Sequence, residues 1–441
     1  MKKIFRFLVL FILPGILTAG SDTEIQFLSG TGSDQTENWE FMVTAGRQAN
    51  QWTEIPVPSC WEFHGFGTFN YGHDEEKGSE QGKYRHFFTV PELWNSKKIF
   101  IVFEGSMTDT EVKINGMSAG PVHQGGFYRF QYGISELLLP GKDNLLEVHV
   151  NKMSSNASIN AAERTSDFWV FGGIFRPVYL KAVPGEFITR TAINALHNGS
   201  FSIDVYPELV DTADRVFVRL INPDGTALSG PVSVSVKQGA EKIILRTKVS
   251  GQKNWTAENP TLYYADISLL SGNTEIHAVR ERFGFRTIEI RQGQGIFLNE
   301  SPIVLKGVNR HSFRPETGRA LSRQDCLEDI LNMKGMNMNA VRMSHYPPDK
   351  VFLDLCDEYG LYVLDELAGW QKPPYDTATG KRLLKAMVTR DVNHPSVLFW
   401  DNGNEGGWNR DLDDDFALYD PQNRQVLHPP RTPQRNRYRP L

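Results

Sequence analysis

Cysteine is scarce in this chain: Cys60, Cys326 and Cys356 are the only three in 441 residues. An odd number at such wide spacing excludes a disulfide framework and a paired metal-ligand motif, and it predicts buried, inert thiols. A dominant sign of charge is missing too. With 47 Lys and Arg against 52 Asp and Glu the formal net charge is -5, which argues against a nucleic-acid partner, since such a partner calls for a basic stripe. Beyond the first residues there is no apolar run long enough to cross a bilayer as a helix. Neither a dinucleotide fingerprint nor a phosphate-cradling glycine loop occurs, so nucleotide chemistry is not indicated and no cofactor is expected.

What is present is the composition of a globular protein, 40% hydrophobic, 11% aromatic and 22% charged. At this length the chain should divide into about two to four domains. Residues 1–20 read as a signal peptide: lysines, an apolar run from Phe7 to Leu17, then Ala19 and Gly20. The mature chain is therefore expected to be exported, to the periplasm or the extracellular space, with no membrane span after cleavage. Residues 21–184 hold short alternating runs such as "KKIFIVFEGS", "DTEVKINGM" and "NLLEVHVNKM", the pattern of a β-sandwich. Residues 185–287 repeat that pattern at a length that suits a small immunoglobulin-like sandwich.

From residue 288 the period changes. "IVLKGVNR" reads as a buried strand, and "SRQDCLEDILNMKGM" follows as a helix with Ser322 as its N-cap and Asp325 three residues on. "NAVRMSH", "LYVLDE" and "SVLFWDNGNE" continue as strands, separated by the helices "PPDKVFLDLCDEYG" and "GKRLLKAMVTRDV". Alternating strands and helices mean parallel βα units, and four such strands with polar ends read as the first half of a (β/α)8 barrel over residues 288–428. In a barrel the C-terminal strand ends form the reactive mouth. Here they carry Asn309, Arg310 and His311; Arg342, Ser344 and His345; Asp365 and Glu366; and Asn404 and Glu405. Imidazoles, amides, an arginine and carboxyls are the inventory of a sugar pocket. Glu405, after the apolar "VLFW", is the foremost candidate for a general acid, because burial of a carboxyl favours its protonated form. Read from the residues alone, it serves equally well as a surface cap of whatever follows.

Taken together, "LKGVNRHSFRPETGRALS", "NMNAVRMSHYPPD", "CDEYGLYVLDE" and "DVNHPSVLFWDNGNEGG" resemble the family 2 glycoside hydrolases, most closely their β-galactosidase branch. "WEFHGFGTFNYG" and "DFWVFGGIFRPVYL" are similar to that family's N-terminal sugar-binding jelly roll. The resemblance implies a retaining hydrolase of terminal β-linked galactose, with a β-galactoside-type carbohydrate as partner. It makes Glu405 the acid/base and Asn404 the contact to the sugar 2-hydroxyl. His311 and His345 match histidines that hold the sugar, Arg342 the arginine near the nucleophile, and Asp167 an aspartate that the jelly roll sends into the pocket. Where some β-galactosidases place magnesium ligands this chain reads "DELAGWQKPPYD", so no such metal site is expected.

A retaining glycosidase also needs a second carboxylate as nucleophile. The resemblance puts it on a late barrel strand, whereas 36 residues follow Glu405 and the segment 429–441 is an Arg- and Pro-rich tail. The chain is thus expected to stop within the barrel, to lack the nucleophile, and to carry a half-barrel that is unstable by itself. The alternatives are a carbohydrate-binding protein without catalysis, or a hydrolase of β-glucuronides or β-mannosides. The oligomeric state is left open.

Overall fold

The computed structural model describes residues 23–208 and 212–429. The expected signal peptide and residues 430–441 of the tail lie outside the described residues.

The first unit is an antiparallel sandwich. One sheet runs Glu24–Phe27, Val178–Val183, Lys98–Phe103, Phe130–Gly133; the other runs Thr53–Val57, Glu37–Val43, Gln81–Phe88, Asn144–Asn151, Asp109–Ile114, Met117–Ser118. Strand Asn144–Asn151 shows why it forms: Asn144, Leu146, Val148 and Val150 are buried and the residues between them are not, the period-two pattern of a sheet with one covered face. Leu146, Val148 and Val150 meet Trp39, Phe41, Ile101 and Leu180 in a single core. A smaller two-stranded sheet, Asn70–Tyr71 against Trp169–Val170, projects from this sandwich.

The second unit packs a three-stranded sheet (Phe187–Ala195, Ser200–Glu208, Ile243–Lys248) on a four-stranded one (Val232–Ser235, Arg215–Ile221, Tyr263–Ser271, Thr274–Phe283). Its core of Ile203, Val205, Val216, Leu220, Ile267 and Leu269 holds no cysteine. All three thiols of the chain are free and buried elsewhere.

A small antiparallel sheet spanning residues 288–303 leads into the third unit. There β1 (Gly307–Arg310), β2 (Ala340–Met343), β3 (Tyr362–Leu367), β4 (Val397–Asn402) and β5 (Val426–Leu427) form one parallel sheet in chain order. Between them lie α1 (Arg323–Gly335), α2 (Lys350–Tyr359) and α3 (Thr377–Asp391). Ser322 and Asp325 close α1 with a reciprocal capping box, and Gly360, at φ 71°, ends α2.

Two expectations need correcting. The parallel strands number five among the described residues, not four, because "QVL" adds β5 beside Trp400 and Asp401. And "IVLKGVNR" is not one buried strand. Ser301–Ile303 belongs to the antiparallel sheet, while Gly307, Val308 and Asn309 are exposed, since β1 pairs only with β2 among the described residues.

The sandwich and the barrel share one apolar core, in which Met107, Phe127, Phe171 and Phe175 pack with Val341, Met343, Leu367 and Trp400. Polar contacts fix the same seam. Ala368 N–H donates to the Tyr128 hydroxyl at 3.1 Å, and Tyr375 O–H donates to the buried Glu163 at 2.5 Å. This docking carries the strand of Trp169 to the barrel mouth, with Phe168 against His311 and Tyr346.

Candidate active site

Arg342, at the C-terminal end of β2, organises the mouth. Its Nε donates to Asp401 Oδ2 at 2.6 Å, its Nη2 lies 2.5 Å from Glu366 Oε2 and 3.3 Å from Asn404 Oδ1, and its Nη1 is 3.4 Å from His345 Nδ1. One planar fork thus meets four groups from β2, β3, β4 and the loops after them, which a single ammonium cannot do. The strand register makes this arrangement necessary. Glu366 and Asp401 stand directly opposite each other on β3 and β4, two acids whose charges repel unless a cation lies between them.

Both acids are sealed from water, at 0% and 1% side-chain exposure. Burial pushes the Glu366 carboxyl up to about 8 against the pull of Arg342. Burial, then the nearby Glu366, pushes Asp401 up to about 7. One arginine charge does not hold two buried carboxyls ionised. His345 Nδ1 is 3.1 Å from Glu366 Oε1, and burial with the adjoining Arg342 pushes this imidazole down to about 3. A neutral ring is left, whose Nε2 has no partner among the described residues.

Glu405 follows β4 at φ 43°, in the left-handed region that a glutamate seldom occupies. It is half-buried, and Gln371 Nε2 donates to its Oε2 at 2.8 Å. The glycine before Asn404 is required by close approach: Gly403 sits at φ 76°, and a Cβ there would lie 2.5 Å from the Gly407 carbonyl oxygen. The turn that results aims the Asn404 and Glu405 side chains at the mouth. Asn404 gives one amide hydrogen to the Trp370 carbonyl at 3.2 Å and accepts from Arg342. Its second amide hydrogen remains for a ligand hydroxyl.

His311 Nδ1 is 3.1 Å from the Tyr346 hydroxyl, and its ring stands edge-on to that of His345 with centroids 5.6 Å apart. Although part of its surface is open, desolvation by the rings around it and the charge of Arg319 hold it at about 4. Asp167 is exposed in the bend before strand Trp169–Val170 of the jelly roll, close enough for its charge to act on His345. Glu405, Asn404, Arg342, His345, His311 and Asp167 therefore face one space. Arg310 and Asp365 do not join them. Arg310 turns outward to Asp329 of α1 at 2.7 Å and over the Phe352 ring, and Asp365 is buried toward Asp391 of α3, burial and that neighbouring carboxyl raising its own carboxyl well above the usual range.

Sequence reasoning passed over Asp401, Tyr346, Trp370 and Gln371. Asp401 carried a signal, since it is the one charged residue in the fully buried run of β4. Trp370 carried none; its position 5.0 Å from His345 depends on how the loop after β3 folds.

The one grouping of histidine and acids close enough to hold a metal among the described residues is Asp354, Asp357 and His394, away from this mouth. Those groups already have partners. His394 Nδ1 meets Asp357 at 2.6 Å, Arg282 meets Asp354 at 3.0 Å, and Lys350 meets Asp354 at 2.8 Å. The cluster is an ion-pair joint between the second sandwich and the barrel.

Comparison with known proteins fits this geometry. Residues 37–184 match the sugar binding domain of glycosyl hydrolases family 2, residues 187–286 match "Glycosyl hydrolases family 2", and residues 288–420 match that family's TIM barrel domain. A β-galactosidase of Priestia megaterium is 33% identical over 408 residues, covering 81% of this chain and 39% of that protein. A putative β-glucuronidase of Formosa agariphila is 28% identical over 92% of this chain and 50% of its own length. The chain thus spans half or less of these relatives. Among solved structures, a putative β-galactosidase from Bacteroides fragilis superposes with a TM-score of 0.79 at 23% identity, over 92% of this chain and 63% of that one. A β-glycosidase from Bacteroides vulgatus gives 0.77 at 26% identity, over 92% and 54%. With all three domain profiles matched in order along nearly its whole length, the chain belongs to glycoside hydrolase family 2.

Proposed function

We propose that this chain carries the sugar-holding and proton-donating side of a retaining β-galactosidase site. The observation that supports this most directly is the convergence of Glu405, Asn404 and His345 on one space around Arg342. Glu405 gives its proton to the glycosidic oxygen, Asn404 donates its open amide hydrogen to a sugar hydroxyl, and neutral His345 and His311 bind further hydroxyls. Asp167 reaches the same sugar from the jelly roll. A retaining pair needs its two carboxyls about 5 to 5.5 Å apart with the nucleophile open to the anomeric carbon. Glu366 and Asp401 are closed off behind Arg342, so the reading gives neither of them that role.

The expected result is that the purified chain binds methyl β-galactoside in saturation-transfer NMR, that Asn404→Ala removes the signal, and that an aryl β-galactoside is not hydrolysed. Turnover that disappears in Glu405→Gln would sink the assignment of Glu366 and Asp401 as non-nucleophilic. A stronger signal from methyl β-glucuronide would favour the second reading, a β-glucuronidase site, which the relative from Formosa agariphila supports.

We also propose export through residues 1–20. Intact mass measurement on protein expressed with its leader should show cleavage near Gly20, and a secreted or periplasmic protein that retains those residues would refute it.

A further inference from the structure

Single exposed apolar residues are ordinary on a protein surface, whereas several aromatic rings exposed side by side mark a place for a ligand. Beside the mouth, Phe69 and Trp169 are 40% and 44% exposed. Trp169 sits on the two-stranded sheet of the jelly roll, where it pairs directly with Tyr71, and Phe69 lies just before the partner strand. The three rings form a tilted wall: Trp169 lies 6.2 Å from Phe69 and 5.7 Å from Tyr71, nearly perpendicular to both. The Tyr71 hydroxyl donates to the Asp167 carbonyl and ties the wall to the pocket residue. Exposure alternates along the chain from there. Asp167 and Trp169 face out, while Phe168 and Val170 are buried, with Phe168 packed on His311 and Tyr346. The indole and the Asp167 carboxyl, two residues apart, are thus both turned to solvent.

We infer that Trp169, backed by Phe69 and Tyr71, is the stacking platform for a second pyranose ring, the one linked to the sugar held around Glu405. This rests on the β-galactosidase reading above and extends it to the substrate class, an oligosaccharide and not a simple glycoside. The surroundings favour a sugar over a flat hydrocarbon. A pyranose presents an apolar C–H face ringed by hydroxyls, and this wall is bordered by Asp167, by His73 against the Tyr71 ring, and by Arg47 over Phe69 at 5.1 Å. The indole N–H of Trp169 has no partner among the described residues.

The test uses the whole chain and three probes: methyl β-galactoside, a β-linked galactobiose, and phenyl β-galactoside, with affinities from NMR titration. Wild type should bind the disaccharide about tenfold more tightly than the methyl glycoside, the size of one good aromatic contact. In Trp169→Ala that ratio should fall toward one, and in Trp169→Phe most of it should return. A ratio near one in wild type, or a ratio unchanged in Trp169→Ala, would overturn the platform. Phenyl β-galactoside gaining as much as the disaccharide would overturn the assignment to a sugar ring. If methyl β-galactoside fails to bind at all, the pocket reading falls first and the platform with it. Binding of the methyl glycoside without a chain-length effect would remove the platform alone.

Discussion

Arg342→Ala is expected to destabilise the barrel by about 3 to 5 kcal/mol, the range for breaking a buried ion pair from one side. The cost arises from what stays behind. Glu366 and Asp401 remain opposite each other on neighbouring strands with no water and no cation between them, and Asn404 and His345 each lose a contact. Arg342→Lys should recover only a small part, because a lysine places one nitrogen where the guanidinium places three. Urea unfolding followed by tryptophan fluorescence reads both variants, with buried Trp400 of β4 as reporter. A lysine variant as stable as wild type would show that charge alone matters and that the fork geometry does not. Loss of methyl β-galactoside binding should accompany the alanine variant, since the same side chain holds Asn404.

The same three groups set a pH response. Glu366 and Asp401 titrate at about 8 and about 7 in the folded chain, raised from 4.5 and 3.8 mainly by burial. In the unfolded chain both are ionised well below neutrality. The folded state therefore holds protons that the unfolded state has already released, and stability falls as pH rises through the folded values. Between about pH 6.5 and about pH 8 the fall should be roughly 2 kcal/mol. Below that window the histidines pull the other way, since His345 and His311 are held neutral on folding and must give up that preference as the medium acidifies. Glu62 of the jelly roll, pushed up to about 7 by burial despite its ion pair with Lys152, contributes with the same sign as the barrel pair. Two variants separate the sources: Glu366→Gln should flatten the barrel's share, and Glu62→Gln the sandwich's. A urea midpoint that rises across this window, or a slope untouched in Glu366→Gln, would show that these carboxyls are ionised in the folded chain.

The three-domain architecture was legible because periodicity is a local property. The alternation in Asn144–Asn151, the capping box at Ser322 and the change to βα units after residue 288 each depend on a few adjacent residues. The strand-end rule then named the side chains that converge at the mouth. What the rule does not decide is which way each strand-end residue turns. Arg310 and Asp365 end strands as Arg342 and Glu366 do, yet they face the helices. The short strand Val426–Leu427 was illegible for another reason: two residues carry no period, and only the edge of β4 makes them a strand. Asp401 shows the remaining gap. Its meaning lies in register, in the fact that Glu366 stands across from it, and register between parallel strands joined by a long crossover is not written in either strand alone.

β1 has a consequence for how this protein behaves in quantity. Its exposed segment Gly307–Asn309 offers backbone donors and acceptors on the side away from β2, next to Val304 at 72% exposure, with Met336 after α1 at 61%. A strip of that kind is adhesive: any extended peptide can lay itself along it and complete the missing hydrogen bonds. Among the described residues, that strip and not the average polarity of the surface is where self-association of the chain at high concentration is expected to begin.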